Sequence, residues 1–338
     1  MTWHAVEAVD DALDATKALF LPVDARQWLA LAFVAFFIAG AGSGPSATAS
    51  GSSGGTTVTA PGQLGAGLQV PYSSETILTA ALAILAISLV FAALYAFVGS
   101  VMEFVFVESL RRRRVRIREY VGRHLGRGLR LFGFRIVLGM LAVVPFVGLV
   151  LAVLSAVGGE PRVSLGLLAL SIPFVVALGA AAAAIDVFTT HFVVPVMIHR
   201  NDGVLAGWRR FWSTLTGEWK QYGVYAAVRI VLGIGAGIVA SVVGSAVGAI
   251  LLAPVALVAW FVRPALDLAV LASNPVALAV VVAVVSAFLL AMGAVMAIVV
   301  APVQSFVRYH ALFVLGDTDP ALDLIPELRR EIRDSDRL

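Results

Sequence analysis

Asp186 and His191 stand five residues apart in an apolar stretch, flanking Thr189 and Thr190. Arg135 and Arg229 lie near the starts of two other apolar runs, and Arg308 and His310, beside Gln304 and Tyr309, close a third. An ionisable group inside lipid is costly, so each is either part of a functional site or part of a buried pair. On the functional reading, Asp186 and His191 form an intramembrane polar site that handles a proton, a cation or a lipid headgroup. On the structural reading, Asp186 pairs with Arg135 or Arg229, and the arginines near the helix ends snorkel to the interface. Residues five apart do not share one face of an α-helix, which favours the structural reading. Metal chemistry has less support. His4, His124, His191, His199 and His310 are scattered, no two at the i, i+4 spacing of a zinc pair. With no cysteine in the chain, disulfides, thiolate metal sites and thiol catalysis are excluded. No nucleophilic serine motif or phosphate loop is found, so no cofactor, no metal and no enzymatic activity is expected.

The elements that must position these groups follow from composition. Of the 338 residues, 60% are hydrophobic and 13% charged, against about 25% charged in soluble domains. The mean hydropathy is +0.96. The expected fold class is all-α: an integral membrane helical bundle of six spanning helices. Residues 3–20 predict an amphipathic helix, with Trp3, Val6, Val9, Leu13 and Phe20 on its apolar face and Thr2 as N-cap. Glu7, Asp10, Asp11 and Asp14 occupy the place of a signal peptide's apolar core, so the first span is expected to remain. The spans are placed near 26–42, 75–110, 132–157, 164–198, from 222 towards 262, and 276–313. Trp28 is positioned as an interfacial anchor. Glu103 and Glu108 fall where the second span projects beyond lipid. Pro173 and Pro195 are expected to kink the fourth span, and Pro254 to break the fifth. Residues 43–73, uncharged and rich in Gly, Ser and Thr, read as a flexible external loop. Gly158–Arg162 and residues 263–275 read as the other external connections. A seventh crossing inside 247–272 is the competing topology, disfavoured because Arg263 and Asp267 would interrupt it. The glycines at 233, 235, 237, 244 and 248 fit close helix packing.

Charge sets the orientation. Nine arginines lie within 111–130, whereas the opposite connections together hold Arg162 and Arg263. The positive-inside rule therefore places 111–130, 199–221 and both termini in the cytoplasm of a multi-pass cell-membrane protein. Basic residues just inside a membrane attract anionic headgroups, each worth about 1 kcal/mol near the surface. Arg111, Arg112, Arg113, Arg114, Arg116 and Arg118 are thus the expected lipid-headgroup contacts. Because the basic residues adjoin spans, they give no reason to expect a nucleic-acid partner. Arg135-Ile136-Val137-Leu138-Gly139 recurs as Arg229-Ile230-Val231-Leu232-Gly233, each copy following a basic amphipathic segment. This predicts three parallel two-helix repeats near 1–112, 113–202 and 203–313, each opened by a cytoplasmic interfacial helix. Residues 1–313 then form a single membrane domain, and 314–338 a cytoplasmic tail.

Phe192-Val193-Val194-Pro195, then Ala206-Gly207-Trp208-Arg209-Arg210-Phe211-Trp212 and the span from Tyr222, resemble the glycerophosphodiester phosphodiesterase membrane domain. The opening Met1-Thr2-Trp3-His4-Ala5-Val6 and the closing stretch from Ser305 to Asp317 look like an uncharacterised family of haloarchaeal membrane proteins. These resemblances imply a helical membrane module and carry no activity with them; no phosphodiesterase catalytic domain is present. The expected function is non-enzymatic, through interaction with membrane lipids or a membrane-protein partner. The alternative is a transporter or channel with a polar site near Asp186 and His191.

Overall fold

The computed structural model describes residues 3–22, 24–41, 74–157, 161–262 and 275–335. Expectations for Thr2, 43–73, 158–160 and 263–274 lie outside the described residues. Ten α-helices run through the described chain: α1 (His4–Phe20), α2 (Ala25–Ala41), α3 (Ser74–Arg112), α4 (Ile117–Val157), α5 (Pro161–Phe188), α6 (Val194–Arg200), α7 (Val204–Gly217), α8 (Trp219–Val262), α9 (Pro275–Thr318) and α10 (Pro326–Ser335). A π-helical turn, Thr189–Val193, joins α5 to α6.

Five segments are long and apolar enough to cross a membrane: Ala86–Arg112, Ile117–Val150, Ser171–Arg200, Trp219–Leu257 and Ala279–Thr318. The sixth expected span, α2, is a shorter apolar helix. Its 17 residues reach about 26 Å at 1.5 Å per residue, short of the roughly 30 Å hydrocarbon core. Helices adjacent in the chain pack on one another, α2 on α3, α3 on α4, α4 on α5 and α8 on α9; α9 also packs on α2, and α1 lies across α9 and α8.

Several expectations need correction. The basic amphipathic segment before Arg135 is not a separate helix but forms the first turns of α4 from Ile117, a single helix of 41 residues. No proline interrupts it before Pro145, and one of its glycines serves packing. A Cβ on Gly128 would sit 2.9 Å from the Val101 backbone, so only glycine allows α4 this close to α3. Pro254 lies inside α8 without ending it, because a membrane-type helix can re-satisfy the one carbonyl that proline frees. Helix α1 is capped by Trp3, which makes no side-chain cap bond. Its buried face is an alanine stripe, Ala5, Ala8, Ala12 and Ala15, with Leu19 and Phe20. Trp3, Val6 and Leu13 are exposed. Small side chains win this face because they let α1 approach α9 closely enough for His310 to donate to the Ala5 carbonyl.

The bundle has two unlike ends. From Leu82 to Leu94 of α3, from Ile136 outward on α4, up to Ile185 on α5 and from Ile230 outward on α8, large apolar side chains are exposed. Beyond Tyr95 and Asp186, α3 and α5 enter a packed core, and inward of Arg135 and Arg229 one face of α4 and α8 joins it. That core contains Phe104, Phe106, Phe192, Phe211, Tyr222, Tyr225, Tyr309 and Phe313.

Candidate functional site

The expected polar residues meet where these two ends join. The site begins with Pro195. In an α-helix the Thr190 carbonyl would accept from the Val194 N–H, but in the π turn that N–H goes to Thr189. The next residue, Pro195, has no N–H to offer. Thr190 is left with a carbonyl that no backbone donor reaches, and Arg308 Nη1 donates to it at 2.5 Å. All five residues of the turn are buried. This explains how residues that do not share an α-helical face, Asp186 and His191, both find partners inside the bundle.

Arg135 and Arg308 converge on Glu103. Arg135 Nη2 donates to Glu103 Oε1 at 3.2 Å and to Thr190 Oγ1 at 2.9 Å. Its Nε donates to Asp186 Oδ1 at 2.9 Å, and its Nη1 reaches Ser100 Oγ at 3.5 Å. Arg308 Nη2 donates to Glu103 Oε2. The Glu103 carboxylate is thus shared by two guanidinium groups, one on each oxygen, with side-chain exposures of 1% for Glu103 and 3% for Arg308. Of the two arginines offered to Asp186, it takes Arg135. Glu103, read from the sequence as lying beyond lipid, is the centre of the network. Its partner is 205 residues away, and nothing local signals it.

His191 is enclosed beside this network. Its Nδ1 and the Tyr225 hydroxyl are hydrogen-bonded at 2.8 Å. Tyr225 stacks on His310, ring centroids 5.2 Å apart. Trp208 of α7 donates to Thr189 Oγ1 at 2.9 Å, tying the amphipathic helix to the π turn. Arg229 differs from the other two arginines. Among the described residues no carboxylate pairs with it, and its buried Nε has no acceptor. Arg308 Nε and His310 Nδ1 are also buried without partners among the described residues. No group of three or more His, Asp or Glu able to hold a metal is found among the described residues. A small surface cavity does occur, at the α1–α2 corner beside Pro22, Trp28 and Arg113.

The arginine run at the end of α3 is partly engaged. Arg112 donates to the buried Glu108 at 2.5 Å. Arg113 forks onto Glu331 of α10 at 3.0 and 2.6 Å. That contact holds the Glu331 carboxyl below the usual carboxylate range, hydrogen bonding being the larger cause and charge adding to it. Arg116 meets Glu119 at 3.3 Å, and Arg111 lies 3.7 Å from Glu108. Arg114 and Arg118 are exposed and make no ion pair among the described residues. The tail helix is further fixed by Arg333, which bonds Asp11 and Asp317, and by Arg329 on Asp317 and Asp323.

The described fold is thus an all-helical bundle with five segments long and apolar enough to cross a membrane, joined at a shared buried carboxylate. Residues 3–325 match a family of unknown function, DUF7544, and the chain belongs to it. Neither the curated proteins nor the solved structures gave a match.

Proposed function

We propose that this is a non-enzymatic integral membrane protein of six spans, α2 being the sixth, whose apolar end is dissolved in the bilayer. Its packed end is a cytoplasmic platform that organises lipid headgroups or a membrane-protein partner. What carries the reading is that α3 and α5 change from exposed apolar to enclosed at Tyr95 and Asp186, while α4 and α8 bury large side chains (Tyr120, Leu131, Tyr222, Tyr225) only inward of Arg135 and Arg229. Outward of that level α3 and α4 run about 32–33 Å at 1.5 Å per residue, close to one hydrocarbon thickness. The arginines therefore lie at headgroup depth, and Trp28, the expected interfacial anchor, donates its Nε1 to the Ile298 carbonyl of α9 at 3.2 Å.

The excess of arginine at the packed end supports its cytoplasmic placement and that of both termini. Arg111, Arg114, Arg116 and Arg118 lie about 24 Å or more along the chain from Tyr95. They would meet anionic lipid where the membrane curves onto the platform, or an acidic partner surface. The three-repeat plan rests on the recurring Arg-Ile-Val-Leu-Gly word, whose two arginines, Arg135 and Arg229, stand in corresponding places on α4 and α8. The transporter reading draws less support, since Asp186 and His191 each have a protein partner.

Because the chain has no cysteine, single introduced thiols report depth directly. Val137→Cys and Val231→Cys should resist an impermeant maleimide from both sides, and Arg114→Cys should react from the cytoplasmic side alone. Labelling of Arg114→Cys from outside intact cells would reverse the topology.

A further inference from the structure

We propose that Arg229 holds the phosphate of a membrane lipid whose acyl chain lies along a glycine trough on α8. The inference deepens the membrane reading by assigning one lipid-phosphate site, and it rests on the headgroup depth of the charged layer. Three arginines lie in that layer with two carboxylates. Arg135 and Arg308 divide Glu103 and Asp186 between them. Arg229 is within electrostatic range of Arg308, His191 and His310, yet it pairs with no carboxylate among the described residues. Its Nε is buried without an acceptor. An arginine left this way at the edge of hydrocarbon is a strong donor without an anion, and a phosphate oxygen fits its fork geometry.

The neighbouring surface distinguishes a lipid from a free ion. Arg229 is half-buried, and Ile230 and Ile234, next to it on α8, are exposed by 64% and 61%. One turn outward, Gly233 has only the Arg229 guanidinium near its missing side chain, at 3.5 Å. Gly237, four residues further on the same face, has nothing within 4 Å. The helix therefore presents a side-chain-free strip leading away from the guanidinium into the apolar end. An acyl chain follows such a strip; inorganic phosphate has no use for it.

The test is lipid retention by the full chain in detergent, read by native mass spectrometry after adding phosphatidylglycerol, diacylglycerol of the same chains, or inorganic phosphate. Wild type should retain phosphatidylglycerol and not diacylglycerol. Arg229→Gln should retain about tenfold less, equivalent to about 1.4 kcal/mol. Arg229→Lys should recover part of the loss, and Arg330→Gln on the tail should change nothing. Gly237→Leu, which fills the trough and leaves the arginine, should also weaken retention; it decides the matter if Arg229→Gln folds poorly. Equal retention by Arg229→Gln and wild type, or equal retention of diacylglycerol, overturns the proposal. Protection by inorganic phosphate alone, with Gly237→Leu neutral, makes this a free-anion site and also overturns it. The retention assay needs no bilayer, so its failure is separable from failure of the depth assignment, which the thiol labelling reads.

Discussion

Val231 and Tyr225 lie six residues apart on α8, the first 68% exposed and the second fully enclosed. Between them sits Arg229, and the rules of burial reverse across it. On the apolar side, valine, leucine and isoleucine stand outward, and polarity is almost absent. On the other side, aromatic rings are buried with Glu103, Arg308, His191 and His310 among them. Water cannot drive the first arrangement; under the proposed membrane reading these exposed apolar side chains are solvated by lipid. The second is held by ion pairs that are costly to desolvate and costlier to break. One end is stabilised by its solvent and the other by its own contacts, so substitutions should act very differently at the two.

Glu103→Gln should have the largest effect. It removes the charge shared by two buried guanidinium groups, and breaking such a pair costs about 3–5 kcal/mol. Thermal unfolding in detergent measures this, and a loss below about 1 kcal/mol would mean the layer is wetter than its geometry implies. Gly128→Val comes next. A side chain there meets the α3 backbone near Val101, and overpacking costs about 1–3 kcal/mol; the same melt, with helix content followed by circular dichroism, tests it. Thr190→Val removes the hydroxyl that accepts from Arg135 but keeps the carbonyl that accepts from Arg308, for a loss of about 1 kcal/mol.

Glu331→Gln is smaller still, about 0–1 kcal/mol, since the Arg113 contact is solvent-exposed. The Glu331 carboxyl titrates below its ordinary value when folded. Its contribution is therefore present above the ordinary carboxylate range and lost as pH falls through the lowered value. Wild type and Glu331→Gln should differ at neutral pH and converge in acid. Val231→Ala, on the lipid side, should stay within about 0.5 kcal/mol in the same assay. A cost there as large as that of Glu103→Gln would erase the distinction between the two ends.

Much of the apolar end was legible from sequence, because long uncharged runs bounded by arginines leave few alternatives. The partnership of Asp186 with an arginine opening a span was legible too, as charge in an apolar run has to be met. Glu103 was not. Arg111 to Arg114 follow it within three turns, and that proximity made the end of α3 read as solvated. What buries Glu103 is Arg308, from the far end of the chain. The face of α1 was misjudged because hydrophobic bulk was weighed above close approach, which favours Ala5, Ala8, Ala12 and Ala15. The continuity of α4 was missed because a change from basic to apolar composition was taken for a break, and a helix backbone is indifferent to that change.

The π turn has an arithmetic consequence. One residue beyond the α-helical count advances every later side chain by about 100°, so Thr189–Val193 acts as a phase shift within an otherwise regular rod. Deleting a single residue there would leave the composition nearly intact while turning Pro195, Met197 and Arg200 to a different side. Homologous chains that differ in length by one at this point would be differently wired inside, however similar their hydropathy.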